Sequence, residues 1–205
     1  ACVGGGGAAE DQAVRRWRAA CWRRILRRSS SEVPPQMPES WLVARANSRQ
    51  SAWASHCLQT ALAFSICSIA GPVVLVGSSM GGWIALILAR AMPERIAGLV
   101  TVAGAPDFTE DLLWANWTEA ERREVADKGV FRVPSDYGDP YPYTRRLIED
   151  GRRQLVLRDP LDLPFPVRIL QGTEDADVPQ EVALRLLDHA TGDDIRLTLV
   201  KGADH

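Results

Sequence analysis

The sequence predicts an α/β fold with a mostly parallel sheet and a helical insertion over it. Three observations point there. After residue 70, short β-branched runs alternate with helical segments. The first of these runs is apolar throughout, as in strands buried on both faces. Some sixty residues, Pro106 to Pro166, separate the second strand from the third, too many for a simple crossover.

Taken in order, Pro72 to Gly77 (PVVLVG) reads as the first strand. A Gly/Ser turn follows, and Trp83 to Arg90 (WIALILAR) is apolar on nearly every face, which predicts a buried helix stopped near Met92-Pro93. Ile96 to Ala103 is the second strand. Within the insertion, Thr118-Glu119-Ala120-Glu121 is a capping-box pattern that starts a helix running to about Lys128, with Gly129 as its stop. Val133 to Tyr143 is rich in Pro, Gly and Tyr and predicts a loop of the kind that forms lids. Tyr143 to Leu157 predicts another helix. Val167 to Gly172 is the third strand, Pro179 to Ala190 a one-sided helix, and Ile195 to Val200 a strand with one polar face.

Residues 1–70 yield no such pattern. Gly4 to Gly7 is a flexible run, Arg15 to Arg28 mixes Arg with Trp and Ala, and Ser29 to Pro38 reads as a linker. This segment carries nine Arg against four acids, and all four cysteines (Cys2, Cys21, Cys57, Cys67). Their spacings match neither a CxxC zinc site nor a redox pair, so no metal site and no disulfide framework is expected. Ala13 to Arg28 can be read as a basic helix for a membrane surface, for nucleic acid or for organellar targeting, or as a terminal segment with no folded role. The domain organisation expected is therefore an unpatterned segment, 1–70, followed by a core, 71–205, that holds the insertion at about 106–166.

At 205 residues, 46% of them hydrophobic, the chain is long enough to bury a core. A net charge of −2 gives no polyelectrolyte character, so neither nucleic acid nor an anionic membrane is implied as a partner. Gln50 to Ala89 lacks Asp, Glu, Lys and Arg, but Gly71-Pro72 and the Ser78 to Gly82 turn cut it into lengths too short to span a bilayer. No transmembrane segment is expected.

Gly77-Ser78-Ser79-Met80-Gly81 matches G-x-S-x-G between a strand and a helix, the context in which that motif presents a nucleophile. Ser79 is the candidate nucleophile, with Gly77 and Gly81 as the small residues that let strand and helix approach. A serine hydroxyl needs a base, and the base an orienting carboxylate. Asp175 lies just beyond the third strand and His205 just beyond the last, both where the carboxyl edge of a parallel sheet would collect them. Asp177 is the alternative acid, though better placed to begin the helix at Pro179; His189 and His56 are the alternative bases. The backbone N–H of Met80 is one expected oxyanion donor. A second donor, from a loop after an earlier strand, is not recognisable.

These residues resemble the α/β-hydrolase superfamily. Over Pro72 to His205 the elbow VGSSMGGW, the step Pro93-Glu94-Arg95, the segment Lys128 to Tyr137, Leu170 to Pro179 and Gly202-Ala-Asp-His205 are similar to the abhydrolase-domain acyl-protein thioesterases and acyl-glucuronide esterases and their bacterial relatives. The resemblance assigns Ser79 as nucleophile, Asp175 as acid and His205 as base. It implies a serine hydrolase that cleaves carboxylic esters or thioesters through an acyl-enzyme, without a cofactor, on a small acyl substrate or an acylated protein.

The family's first strand pair, oxyanion loop and Arg-x-Asp-Tyr segment are not legible ahead of the elbow, and no helix follows His205. With 22 Arg against two Lys and a start at Ala1, the expectation is a partial reading frame, incomplete at both ends and out of frame before about residue 70. An inactive remnant without a complete oxyanion hole is then the rival function. The lid aromatics Trp114, Trp117, Tyr137, Tyr141 and Tyr143 are candidates for an acyl pocket, with plain core packing as the alternative. A cytoplasmic location is expected, or a mitochondrial one if the source is eukaryotic.

Overall fold

The computed structural model describes Val43–Ala44 and residues 71–135 and 138–205. The strands β1 (Val43–Ala44), β2 (Val73–Ser78), β3 (Ile96–Val102), β7 (Val167–Gly172) and β9 (Ile195–Val200) lie side by side in that order as one sheet. Every neighbouring pair in it is parallel. This is the predicted architecture. β1 falls in the segment whose residues show no strand pattern, and it pairs Val43 with Val76 and Ala44 with Gly77, beside the elbow.

The hydrophobic pattern explains the layers. β2 alternates fully and partly buried residues, and Leu75 and Leu99 of β3 sit at its centre with 0% and 1% exposure. Helix α1 (Met80–Ala91) is buried from Gly81 to Ala89, as an all-round apolar helix must be. Fully burying side chains such as Ile84 and Leu86 is worth roughly 1.5–3 kcal/mol each. A short 3₁₀ turn, Pro93–Arg95, returns the chain to β3.

The insertion begins with one π-helical turn, Thr109–Trp114, and continues into helix α2 (Glu119–Lys128). Only Val125 of α2 is buried, so its ends matter more than its face. Thr118 accepts from the Glu121 N–H while Glu121 reaches back to the Thr118 N–H at 2.7 Å, and Gly129 closes the helix at φ 76°. The backbone hydrogen bond from Thr118, followed by its hydroxyl, holds the Glu121 carboxyl below its usual range.

The segment expected to be a loop is a β-hairpin instead. β4 (Val130–Ser135) and β5 (Gly138–Thr144) pair antiparallel, with Phe131 opposite Tyr143 and Val133 opposite Tyr141. Proline obscured this: Pro140 and Pro142 cannot donate, yet a two-stranded ribbon consists only of edges, where proline is tolerated. Helix α3 (Arg145–Arg152) is correspondingly shorter than the predicted 143–157 span, because Tyr143 belongs to β5 and Thr144 caps the helix by accepting from the Leu147 N–H.

β6 (Leu161–Asp162) and β8 (Ala190–Thr191) form a small separate parallel pair, and helix α4 (Gln180–His189) buries Ala183 and Leu186. No helix among the described residues is long and apolar enough to cross a membrane.

Candidate active site

Three chain segments at the carboxyl edge of the sheet build the site. The first is the turn between β2 and α1. Ser79 sits there at φ 54°, ψ −127°, a backbone conformation that L-residues avoid. Its N–H donates to the Val102 carbonyl at 3.0 Å, and its own carbonyl accepts from the N–H groups of Gly82 and Ala105. These bonds hold the strained residue in place.

Gly77 is required here, since a Cβ would overlap the Gly81 carbonyl. A Cβ on Gly82 would lie 2.9 Å from the Gly104 Cα, so the helix rests on the β3 loop through a second pair of glycines outside the G-x-S-x-G motif. Met80 opens α1, where backbone N–H groups lack intrahelical acceptors, as an oxyanion donor requires.

The second and third segments are the loops after β7 and β9. They are stitched to one another: Thr173 N–H donates to Val200 O, Glu174 N–H to Ala203 O at 3.0 Å, and Gly202 N–H to the Thr173 hydroxyl at 2.9 Å. Gly172 permits this, because a Cβ there would run into the Ala203 carbonyl. Gly202 turns the chain at φ 73°, which aims the last residues back towards the sheet edge.

The result brings the predicted residues together. His205 Nε2 lies 3.1 Å from Ser79 Oγ, and His205 Nδ1 lies 2.9 Å from Asp175 Oδ2. Asp175 is buried, and its other oxygen accepts from the N–H groups of Asp177 at 3.0 Å and Val178 at 2.8 Å. Asp177 is exposed and its side chain does not cap α4, which follows Pro179 without a side-chain cap; the Asp177 backbone serves Asp175 instead. His189 lies at the end of α4, and His56 falls outside the described residues.

Sequence reasoning missed Gln171, which donates from Nε2 to Asp175 Oδ2 at 3.1 Å and to the Val178 carbonyl at 2.8 Å. The signal was present: a polar amide directly after the apolar pair Ile169-Leu170 in the predicted strand VRILQG. It also missed Asp107, fully buried at φ 58°, whose carboxylate accepts from Val156 and Leu157 N–H and pairs with Arg158. Asp107 ties the start of the insertion to the irregular segment that follows α3.

The aromatic residues of the insertion mostly pack on one another. Trp117 is the centre of a small apolar cluster with Val125 and Ile148, and meets Phe131 edge-on at 5.4 Å and Tyr143 at 6.0 Å. Trp114 lies 6.1 Å from Trp117 and beneath the Arg152 guanidinium. For Trp114, Trp117 and Tyr143, core packing is therefore the role observed. Burial, then the neighbouring Tyr141 and Asp177, raise the Tyr143 hydroxyl above its usual range. Tyr137 lies outside the described residues. A small crevice next to the elbow is lined by Met80, Trp83, Ile84 and Leu147 together with Asp150, Gly151 and Gln154.

Comparison with known proteins agrees with this architecture. The chain is 34% identical over 138 residues to the mitochondrial palmitoyl-protein thioesterase ABHD10 of Homo sapiens, covering 66% of this chain and 44% of that protein. It therefore spans less than half the length of that relative. Among solved structures, a hydrolase candidate from Agrobacterium vitis S4 superposes with a TM-score of 0.70 at 42% identity, covering 78% of this chain and 64% of that one. The alpha/beta hydrolase domain-containing protein 10 from mouse gives 0.65 at 28% identity, over 77% of this chain and 63% of the other. A family model described as the alpha/beta hydrolase family matches residues 19–205. The parallel sheet, the strained serine turn after β2 and this match together establish that the chain belongs to the alpha/beta hydrolase family.

Proposed function

We propose that the chain is a serine hydrolase cleaving carboxylic esters or thioesters through an acyl-enzyme. The observation that carries the proposal is the hydrogen-bonded series from Ser79 through His205 to the buried Asp175, with contacts of 3.1 and 2.9 Å. His205 takes the Ser79 proton as Oγ attacks the acyl carbon, and the imidazolium returns it to the departing alcohol or thiol. Water, deprotonated by the same imidazole, then releases the acid. Asp175 holds Nδ1 protonated so that Nε2 faces the nucleophile, and its charge stabilises the imidazolium. The Met80 N–H supports the developing oxyanion.

The human relative is named a palmitoyl-protein thioesterase, and that name supports testing acyl thioesters beside simple esters. Hydrolysis should be followed on p-nitrophenyl esters of increasing chain length and on palmitoyl-CoA, with Ser79→Ala as control. Turnover of either class that is lost in the variant supports the proposal. Turnover that survives Ser79→Ala contradicts it, and a folded chain that turns over neither favours the inactive-remnant alternative.

A further inference from the structure

We infer that Gln171 is a positioning residue for the Asp175–His205 pair, fixing the carboxylate oxygen that faces the imidazole; the inference rests on the triad reading proposed above. Gln171 is 2% exposed, next to last in β7, and follows the buried Ile169 and Leu170. Its amide nitrogen faces three acceptors: Val178 O at 2.8 Å, Asp175 Oδ2 at 3.1 Å and Gly172 O at 3.4 Å. That arrangement fixes the amide's orientation, because a flip would set Oε1 against a carboxylate oxygen, acceptor to acceptor.

The amide oxygen is buried and has no hydrogen-bond partner. An unmet buried acceptor is a cost that an apolar residue of the same length would not carry. Fold stability alone therefore does not account for an amide here, whereas the placement of Asp175 does. The two backbone donors on Asp175, from Asp177 and Val178, both fall on Oδ1. They leave the carboxylate free to tilt about that oxygen. Gln171 restrains the other one, Oδ2, which is the oxygen His205 approaches. By bonding Val178 O as well, it closes the 175–178 loop around the carboxylate.

A donor on Oδ2 also shares the carboxylate's charge and moderates its pull on the imidazolium. The other acids of these two loops, Glu174, Asp177 and Asp204, are exposed, and the His205 imidazole is the ring that Asp175 meets, at 2.9 Å. Removing the amide should leave Asp175 held by its two backbone donors alone, with a stronger pull from the carboxylate on the imidazolium and His205 less well aimed.

The test compares the full chain with Gln171→Met and Gln171→Asn in p-nitrophenyl acetate hydrolysis between about pH 5 and 9, bracketing the ordinary histidine range. Gln171→Met removes the donor at nearly constant length; Gln171→Asn keeps an amide but withdraws it by one methylene. Circular dichroism identifies which variants are folded, and either one decides. The expected result is a kcat lowered about tenfold with KM little changed, and an acid limb of kcat/KM moved up by about half a pH unit. A folded variant whose kcat and acid limb match the parent overturns the role of Gln171. A parent chain with no hydrolysis and no labelling of Ser79 overturns the triad reading itself, a different outcome.

Discussion

Ser79 holds a left-handed backbone that costs a non-glycine residue of order 1–2 kcal/mol, and the surrounding backbone hydrogen bonds from Gly82, Ala105 and to Val102 offset it. Presenting the hydroxyl depends on Gly77 having no side chain. Gly77→Ala should destabilise the fold by about 3 kcal/mol or more, at the upper end of overpacking costs, since the obstructing atoms are backbone. Chemical denaturation measures this, and an alanine variant as stable as the parent would mean that strand and helix are not this close. Asp175→Asn keeps the shape of the buried acid but removes the charge and favours the wrong histidine tautomer. It should lower kcat by about four orders of magnitude while the folded content is retained.

The elements of the insertion are held by their ends and by one aromatic cluster. Thr118→Ala removes half of the α2 capping box and should cost about 1 kcal/mol, read as a lower denaturation midpoint at unchanged slope. A null effect would mean that α2 is held by Trp117 and Val125 alone. This helix was legible because its cap and its Gly129 stop are local signals. The hairpin beside it was not, because Pro140 and Pro142 argue against a strand and only the tertiary pairing of Phe131 with Tyr143, both against Trp117, overrides them. The same logic separates α1, whose apolar sequence announces its burial, from Asp107, whose burial follows from backbone groups 49 and 50 residues away.

Over the whole molecule, Asp111 joins the two ends of the insertion through Arg158 and ties the insertion to α4 through Arg185. Burial alone would raise the Asp111 carboxyl, but the hydrogen bonds and charges of the two guanidinium groups outweigh it and hold the group below its ordinary range. A carboxyl depressed in the folded state stabilises the fold above its unfolded pKa, near 3.9, and loses that contribution as pH falls through the lower folded value. The difference in thermal midpoint between the parent and Asp111→Asn should therefore be present at pH 7 and vanish well below about pH 4. A difference independent of pH would assign Asp111 a packing role instead.

At this scale the parallel sheet and three of the site's residues follow from strand–turn–helix spacing, since Ser79, Asp175 and His205 each lie in the turn or loop that follows a strand. What spacing does not contain is the cross-loop stitching at Gly172 and Gly202 or the amide of Gln171, which act only once separate loops meet.

The most direct test of the central claim is mass spectrometry of the intact chain and its peptides after exposure to a fluorophosphonate, with Ser79→Ala alongside. One adduct on the Gly77 to Gly81 peptide, absent from the variant, is the result predicted, because the His205–Asp175 pair would activate that hydroxyl above every other serine. An adduct that persists in Ser79→Ala, or none on the folded parent, would contradict the assignment of this turn as the nucleophilic centre.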